Sequence, residues 1–388
     1  MFQIKKLNKI ASVGTDRFLP DLFVCNEDCE DPDGILVRSA SMHEYAFQPQ
    51  LKAIARAGAG TNNIPIDRCT QEGIVVFNAP GANANAVKEL VIASMLMASR
   101  DLVGGIEWVK SIQHEEGLGK LVEKGKSQFV GPEISGKKLG IIGLGAIGIL
   151  VANVAIDLGM EVYGYDPYLT VDAALRLSKY VHKVNDVSEL YAVSDYITIH
   201  VPFMKETEHT ICSEAIAQMK DGVRILNLAR GELVDDDAIA PALESGKVAK
   251  YVTDFPNEKV LSMKNVICLP HIGASTPESE ENCAVMAVDE LQDYLLNGNI
   301  RNSVNFPTVF CERSTGVRIC VMHKNVPTML GQITALIGEE KLNIDHITSK
   351  FKGDNAYTII DLTENPEAAQ LTDKIRHLSG IIRVREIR

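Results

Sequence analysis

Three polar residues in the second half of the chain suit acid–base chemistry on a small carboxylic acid. Arg230 directly follows an apolar, strand-like run, and a guanidinium at that place can hold a carboxylate with two parallel hydrogen bonds. His271 follows another such run, and Glu258 lies just past a proline-containing turn. A carboxylate beside an imidazole keeps the ring able to give a proton to a keto oxygen or to take one from an alcohol.

Each of these residues also has a structural interpretation. Arg230 could pair with Asp235 or Asp236 at the start of a helix, and a single histidine after a strand is more often structural. Loops that follow adjacent strands can nevertheless bring Glu258 and His271 together. The combination of arginine, glutamate and histidine therefore predicts a proton-exchanging site.

A glycine-rich turn is the most informative motif of the chain. Gly143, Gly145 and Gly148 follow the apolar run 139–142 at the spacing G-x-G-x-x-G, and an apolar-rich helix is predicted over 147–158. The first glycine permits a tight turn, the second lets the backbone approach a pyrophosphate, and the third lets helix and strand pack closely. The helix start offers N–H groups and a partial positive charge to that anion. An ordinary strand–helix turn is the alternative.

An acidic residue after the next predicted strand indicates which dinucleotide binds. The strand 161–165 is followed by Asp166, close to the expected offset of about 20 residues. Its carboxylate can accept a hydrogen bond from a ribose 2′-OH and would repel a 2′-phosphate, so NAD is predicted rather than NADP. A solvated aspartate is the alternative interpretation.

Parallel sheets must position these residues. Strand-like and helix-like segments alternate over the first three quarters of the chain, which predicts parallel sheets with helices on both faces and ligands at the carboxyl ends of the strands. From about residue 316 onward, the segments follow the order β-α-β-β-α-β, which predicts a ferredoxin-like unit. We therefore predict an α/β protein with two doubly wound, Rossmann-like or flavodoxin-like domains and a C-terminal ferredoxin-like domain. The predicted bounds are 1–95 completed by 285–305 for the substrate-binding domain, 96–284 for the NAD-binding domain and 316–388 for the ferredoxin-like domain.

Composition narrows the function classes. A net charge of −12 argues against nucleic acid and anionic membranes as partners, and no apolar run reaches the length of a membrane span. The first residues lack the apolar core of a secretion signal. The eight cysteines are scattered without a C-x-x-C pair, so we expect reduced thiols, a cytoplasmic protein and no metal site.

These motifs, together with Pro270-His-Ile-Gly-Ala-Ser275, resemble the NAD-dependent D-2-hydroxyacid dehydrogenase family. The resemblance implies that Arg230 binds the substrate carboxylate, that His271 is the acid or base, and that Glu258 orients it. Asp254 precedes Glu258 by one residue less than is usual in the family, so its placement departs from the pattern. The implied cofactor contacts are Gly143, Gly145, Ala146, Ile147, Gly148, Asp166, Val201, Leu228, Ala229, Asp254, Gly273 and Ala274.

The N-terminal domain extends this resemblance. The run Arg56-Ala-Gly-Ala-Gly-Thr-Asn-Asn63 is similar to the family's substrate-carboxylate loop, although it could be a mere turn. Arg38 matches a position that meets a substrate phosphate, with a salt-bridged surface arginine as the alternative. The implied substrate contacts are Arg38, Ala59, Gly60, Asn83 and Arg230.

The C-terminal unit resembles the ACT domains that some family members carry. In serine-inhibited relatives His323, Asn325 and Asn343 would contact L-serine, and ACT domains pair side by side, which implies a homodimer or homotetramer. Thr328 replaces the usual glycine of the loop. A dimerisation module without a ligand is the alternative.

The whole pattern resembles the family members that oxidise 3-phospho-D-glycerate to 3-phosphooxypyruvate, the first step of L-serine biosynthesis. Substrate would bind in the cleft between the first two domains. The competing interpretations are a hydroxypyruvate, glyoxylate or other D-2-hydroxyacid reductase, and a non-catalytic protein that senses NADH. The intact set Arg230, Glu258 and His271 argues against the last of these.

Overall fold

The computed structural model describes residues 1–314, 316–363 and 368–388. Contacts divide the chain into two compact units, one made of 1–83 with 277–388 and the other of 84–276. Three sheets confirm the predicted α/β class, two of them parallel and one antiparallel. The domain bounds inferred from the sequence stay predictions.

The first unit begins with a five-stranded parallel sheet in the order β2-β1-β3-β4-β5. Its inner strands are apolar and buried on both faces, as parallel strands covered by helices should be. Val37 pairs with Arg56, so the loops after β3 and β4 leave the sheet side by side. The elements are β1 Phe2–Lys6, α1 Ser12–Thr15, β2 Phe23–Asn26, β3 Gly34–Val37, β4 Ala53–Arg56, α2 Ile66–Gln71 and β5 Val75–Phe77.

The second unit is built on a seven-stranded parallel sheet in the order β8-β7-β6-β9-β10-β11-β12. The strand order reverses between β6 and β9, which is where open α/β sheets bind ligands. Short 3₁₀ turns occupy Lys126–Phe129 and Gly231–Leu233. The elements are α3 Ala84–Ser99, α4 Leu102–Ser111, α5 Leu118–Gly125, β6 Lys138–Ile142, α6 Ala146–Asp157, β7 Glu161–Tyr165, α7 Val171–Arg176, β8 His182–Val184, α8 Val187–Val193, β9 Tyr196–Ile199, α9 Ser213–Gln218, β10 Val223–Asn227, α10 Asp236–Ser245, β11 Val248–Thr253, α11 Glu258–Ser262 and β12 Val266–Cys268.

The remainder of the first unit is a long helix followed by a four-stranded antiparallel sheet in the order β14-β15-β13-β16. The predicted β-α-β-β-α-β order is confirmed. The last predicted helix was expected to begin at Pro366, which lies outside the described residues. The elements are α12 Pro277–Asn297, β13 Arg318–Lys324, α13 Met329–Glu339, β14 Ile344–Lys352, β15 Asn355–Leu362, α14 Ala368–Arg376 and β16 Ile381–Ile387.

The antiparallel and parallel sheets of the first unit contribute to one hydrophobic core. Met322 and Tyr357 of the antiparallel sheet lie in the same buried cluster as Phe77 of β5 and Tyr294 of α12. The Tyr357 hydroxyl donates to the carbonyl of Gly298 at 2.6 Å. The two sheets are therefore joined by buried apolar packing rather than by a peripheral contact.

Two arginines on the last strand, β16, form further hydrogen bonds between the antiparallel sheet and the rest of the first unit. Arg385 is 8% exposed and donates to the carbonyls of Tyr294 and Leu295, in the last turn of α12. Cations are favoured at that end of a helix, because the macrodipole is negative there. Arg383 donates to the carbonyls of Leu51 and Pro49, which precede β4.

A buried acid lies inside α12. Glu290 is 7% exposed, and its Oε1 accepts a hydrogen bond from Asn302 Nδ2 at 2.6 Å. Its other oxygen is buried without a partner among the described atoms. Burial raises the pKa of Glu290 to about 8, so this carboxyl is mostly protonated at neutral pH.

Two global features complete the fold. Across the residues that the structure describes, the helices lack the combination of length and apolar character that a bilayer crossing requires. All eight cysteines are thiols rather than members of disulfides.

Candidate active site

The glycine-rich turn joins β6 to α6 at the point where the strand order reverses. Gly143 has a φ of +95°, which glycine adopts without strain, and a Cβ there would lie 2.7 Å from the carbonyl oxygen of His200. A Cβ on Gly148 would collide with the carbonyl oxygen of Gly143. Each of the two positions therefore requires glycine, for the turn and for close helix packing.

The middle glycine leaves open space in front of the helix. Apart from Gly145 itself and its chain neighbours, the described residues place no atom within 4 Å of the position that a Cβ on Gly145 would take. Gly145 is the N-cap of α6, and as a glycine it has no side chain that could cap the first N–H groups of this helix. Ala146 and Ile147 form the first turn. An uncapped helix start with free approach fits a pyrophosphate, so the residues present suit a dinucleotide.

Asp166 lies beside this turn. It follows β7, and its Oδ2 accepts a hydrogen bond from the N–H of Leu144 at 2.9 Å, while Oδ1 accepts from the N–H of Tyr168 at 2.8 Å. Val201, which follows β9, is in contact range of Gly143. The carboxylate predicted to meet a ribose is thus fixed next to the glycine-rich turn.

Arg230 is held at the end of β10 by its own turn. Asn227 is fully buried, and its Nδ2 donates to the carbonyl of Arg230 at 2.7 Å. The sequence left open an ion pair of Arg230 with Asp235 or Asp236. In the structure these carboxylates have other partners, because Asp235 caps α10 and Asp236 accepts a hydrogen bond from Asn257. Leu228 and Ala229, two predicted cofactor contacts, form the same turn.

Asp254 and His271 follow the adjacent strands β11 and β12. Asp254 is 1% exposed, and one of its oxygens is buried without a hydrogen-bond partner among the described atoms. Burial raises the pKa of Asp254. The charge of His271, two backbone hydrogen bonds and the charge of Arg230 oppose this rise, in that order of size, but do not cancel it. A Cβ on Gly273 would lie 3.6 Å from Asp254 Oδ2, so the 271–274 loop passes directly over this carboxyl.

An aromatic side chain lies between the arginine and the histidine. The rings of Phe255 and His271 have centroids 4.5 Å apart, and the Arg230 guanidinium lies 5.8 Å from the Phe255 centroid. His271 is exposed and has a φ of +44°, an unusual conformation for a residue with a Cβ. The structure thus brings Arg230, Asp254 and His271 to neighbouring strand ends.

Glu258 is placed differently. It is the exposed first residue of α11, and within the described part of the chain no hydrogen bond or ion pair joins it to His271. The predicted role of Glu258 in orienting His271 therefore stays a prediction. Ala274 and Gly273 belong to the loop that follows His271, as expected.

Sequence reasoning missed three residues of this region. Asn227 positions the Arg230 turn, Phe255 contacts His271, and His200 lies beneath the glycine-rich turn. Burial lowers the pKa of His200 to about 4, and its Nδ1 has no hydrogen-bond partner among the described atoms. A polar residue at the end of a buried strand was the available signal for Asn227 and His200.

The predicted substrate residues of the first unit lie at the carboxyl ends of its parallel sheet. Arg38 follows β3 and forms an ion pair with Glu280 at 2.7 Å, the alternative that its sequence context left open. Ala59 and Gly60 lie in the loop after β4, where the Ala59 carbonyl accepts a hydrogen bond from Asn78. Asn83 is half-buried just before α3. Their contact with a substrate stays a prediction.

Two of the three predicted effector residues, His323 and Asn325, line a small cavity in the antiparallel-sheet region, whereas Asn343 is not among the residues that line it. It measures about 340 Å³ and is lined in part by His323, Asn325 and Thr328. His323 is buried, and its two ring nitrogens lie 2.9 Å from the Lys324 carbonyl and from Thr358 Oγ1. Asn343 is exposed, just before β14.

Comparison with known proteins shows which family has this arrangement. Residues 92–273 match the family model described as "D-isomer specific 2-hydroxyacid dehydrogenase, NAD binding domain". A relative from Haemophilus influenzae named "D-3-phosphoglycerate dehydrogenase" is 34% identical over 360 residues, which cover 89% of this chain and 83% of that protein. The chain belongs to the D-isomer-specific 2-hydroxyacid dehydrogenase family. NAD is the cofactor that the matched domain of this family binds.

Solved structures of this dehydrogenase family agree in fold. An NAD⁺-bound 3-phosphoglycerate dehydrogenase from Entamoeba histolytica is 28% identical with a TM-score of 0.60, covering 78% of this chain and 98% of that one. A glyoxylate reductase from Paecilomyes thermophila is 27% identical with a TM-score of 0.65 and the same coverage. The chain spans 63%, 59% and 48% of the length of three other curated relatives.

Proposed function

We propose that the protein catalyses the NAD-dependent oxidation of 3-phospho-D-glycerate to 3-phosphooxypyruvate, the step that opens L-serine biosynthesis. The observation that carries this proposal is the placement of Arg230, Asp254 and His271 at adjacent strand ends of the sheet that bears the glycine-rich turn. Oxidation of a 2-hydroxy acid requires a cation that binds the carboxylate and a base, such as an imidazole, that accepts the hydroxyl proton.

In this mechanism His271 removes the proton of the substrate hydroxyl, and in the reverse direction returns it to the keto oxygen. Arg230 binds the carboxylate with its guanidinium fork, which fixes the carbon that bears the hydroxyl. The buried carboxyl of Asp254 lies close enough to His271 for the two groups to interact electrostatically. Glu258 is the predicted orienting carboxylate.

The cofactor residues follow from the turn geometry. The N–H groups at the start of α6 would hold the pyrophosphate, and Asp166 would hold the adenosine ribose. When bound there, NAD⁺ would supply the acceptor for the hydride that leaves the hydroxyl-bearing carbon, while His271 takes the proton of the hydroxyl. The ring of Phe255 packs against the ring of His271 and would limit the positions that the imidazole can take.

The phosphorylated substrate is supported by two features. Curated relatives that resemble most of this chain carry the name D-3-phosphoglycerate dehydrogenase. Arg38, at the end of β3, supplies a cation suited to a phosphate.

We extend the proposal to the antiparallel sheet, which we infer to be an ACT-type effector domain. Its cavity contains polar groups from His323, Asn325 and Lys350, which suit a small amino acid such as L-serine. The edge strand β14 exposes Ile347 and Phe351, which fits a homodimer or homotetramer paired through this domain.

One steady-state experiment tests the function. The full chain is assayed for the change in NADH absorbance with 3-phospho-D-glycerate, phosphohydroxypyruvate, hydroxypyruvate and glyoxylate, each with and without L-serine. We expect the phosphorylated pair to give the largest kcat/KM. Fast turnover of glyoxylate or hydroxypyruvate, without turnover of the phosphorylated pair, would assign the chain to a reductase instead.

A further inference from the structure

Arg38 has an anionic partner within its own unit. Its Nη2 donates to Glu280 Oε1 at 2.7 Å, and the side chains are 39% and 43% exposed. Glu280 belongs to the first turn of α12, whereas Arg38 follows β3. The residues are thus brought together by the fold and not by their sequence separation.

The surroundings of this ion pair are cationic. Burial raises the pKa of the Cys283 thiol, and the charges of Arg56 and Arg38 act against that rise, so both guanidinium groups lie near residue 283. The start of the 21-residue helix α12 adds a partial positive charge. Glu280 also acts on Cys283, which places its carboxylate inside the same cluster.

The backbone around Arg38 is fixed independently of Glu280. The side-chain oxygen of Asn8 accepts hydrogen bonds from the N–H groups of Arg38, Ser39 and Ala40 at 3.0, 3.1 and 3.0 Å. Removing the Glu280 charge should therefore release the Arg38 guanidinium without displacing the loop that carries it.

We propose that Glu280 is a specificity-determining residue, because its carboxylate takes the place on Arg38 that a substrate phosphate must take. The inference rests on the proposed function. Carboxylate and phosphate are the two anions that the guanidinium fork binds with paired hydrogen bonds, so they compete for Arg38. A phosphorylated substrate must displace Glu280 and also approach its negative charge, whereas an unphosphorylated 2-hydroxy acid meets neither obstacle.

The size of the effect follows from the exposure of the pair. An exposed ion pair is weak, and like charges a few ångströms apart repel modestly in water. Loss of both obstacles corresponds to roughly a 3- to 30-fold decrease in KM for the phosphorylated substrate. The value of kcat should change little, since Glu280 is not part of the proton-transfer site.

The experiment compares Glu280→Gln with Glu278→Gln, which removes an exposed charge from the same helical turn. In the full chain, Glu280→Gln should lower KM for 3-phospho-D-glycerate but not for D-glycerate, and Glu278→Gln should lower neither. In an Arg38→Gln background the gain from Glu280→Gln should vanish.

A binding measurement keeps this test independent of turnover. Calorimetric titration with inorganic phosphate should show 3- to 30-fold tighter binding to Glu280→Gln than to the unchanged chain. Equal phosphate affinity, or an equal KM in a chain that does oxidise 3-phospho-D-glycerate, refutes the role of Glu280 and leaves the proposed function intact. A chain that binds phosphate as expected but does not oxidise 3-phospho-D-glycerate refutes the function instead.

Discussion

The buried Glu290 should make the stability of the first unit fall as the pH rises. Its pKa is raised from 4.5 to about 8 by burial, so between these values the unfolded chain loses this proton while the folded chain keeps it. The free energy of unfolding therefore decreases with pH across that window and levels off above it. At about 1.36 kcal/mol per pH unit, the full window corresponds to about 5 kcal/mol.

The substitution Glu290→Gln isolates this contribution. Glutamine keeps an oxygen that can accept the hydrogen bond from Asn302, but it has no charge to bury. We expect the variant to melt close to the unchanged chain at pH 5. Near pH 8 the variant should be more stable than the unchanged chain by about 4 kcal/mol. Unfolding of the unchanged chain is favoured at this pH because it lets Glu290 ionise in water, whereas glutamine has no proton to lose.

Calorimetric melting between pH 5 and pH 9 measures the difference between the two chains. Glu281→Gln removes an exposed carboxylate from the same helix and should follow the unchanged chain throughout. If the gap between Glu290→Gln and the unchanged chain stays constant over this range, Glu290 ionises normally and the burial argument is wrong.

Five further substitutions test the site and the fold. Thr328 has a φ of +69°, which costs a β-branched residue about 1 kcal/mol, so Thr328→Gly should raise the melting temperature of the chain. Asp166→Asn removes a charged acceptor near the glycine-rich turn and should raise KM for NAD by about tenfold, while the relative use of NADP, measured by kcat/KM, increases. His271→Gln should lower kcat by about a thousandfold or more, since it removes the proposed proton acceptor. Measuring kcat for Glu258→Gln and Asp254→Asn then identifies which carboxylate orients His271. A larger loss of kcat in Asp254→Asn would assign that role to Asp254 instead of Glu258.

The fold was largely predictable because its strongest patterns are local. The apolar runs before Gly143 and Arg230 are continuous, as expected of strands buried on both faces, and both prove to be central strands of a parallel sheet. The carboxyl ends of such strands share one edge, and the structure places Arg230 after β10 and His271 after β12, with β11 between these two strands. From the sequence, adjacent strand-end loops are expected only for Glu258 and His271. The antiparallel unit was predictable from the order of its elements.

Contacts between distant segments were not predictable in the same way. The ion pair of Arg38 with Glu280 joins residues 242 positions apart, and no local pattern specifies such a pairing. The asparagines and proline of 297–299 and 305–307 indicate a linker, yet Phe306 is fully buried, and so is Val309 just beyond it. A turn-forming composition describes the local backbone, whereas burial depends on what the rest of the chain places against it.

The junction formed by Tyr357, Met322 and Arg385 has a consequence for how this chain could be shortened. If the antiparallel sheet were removed, Phe77 and Tyr294 would lose part of the covering that keeps water from them. Each of these large side chains would then expose roughly a hundred square ångströms of apolar surface next to the five-stranded parallel sheet. A version truncated after residue 312 should therefore aggregate, and polar replacements of the exposed apolar side chains would be needed to keep the shortened chain in solution.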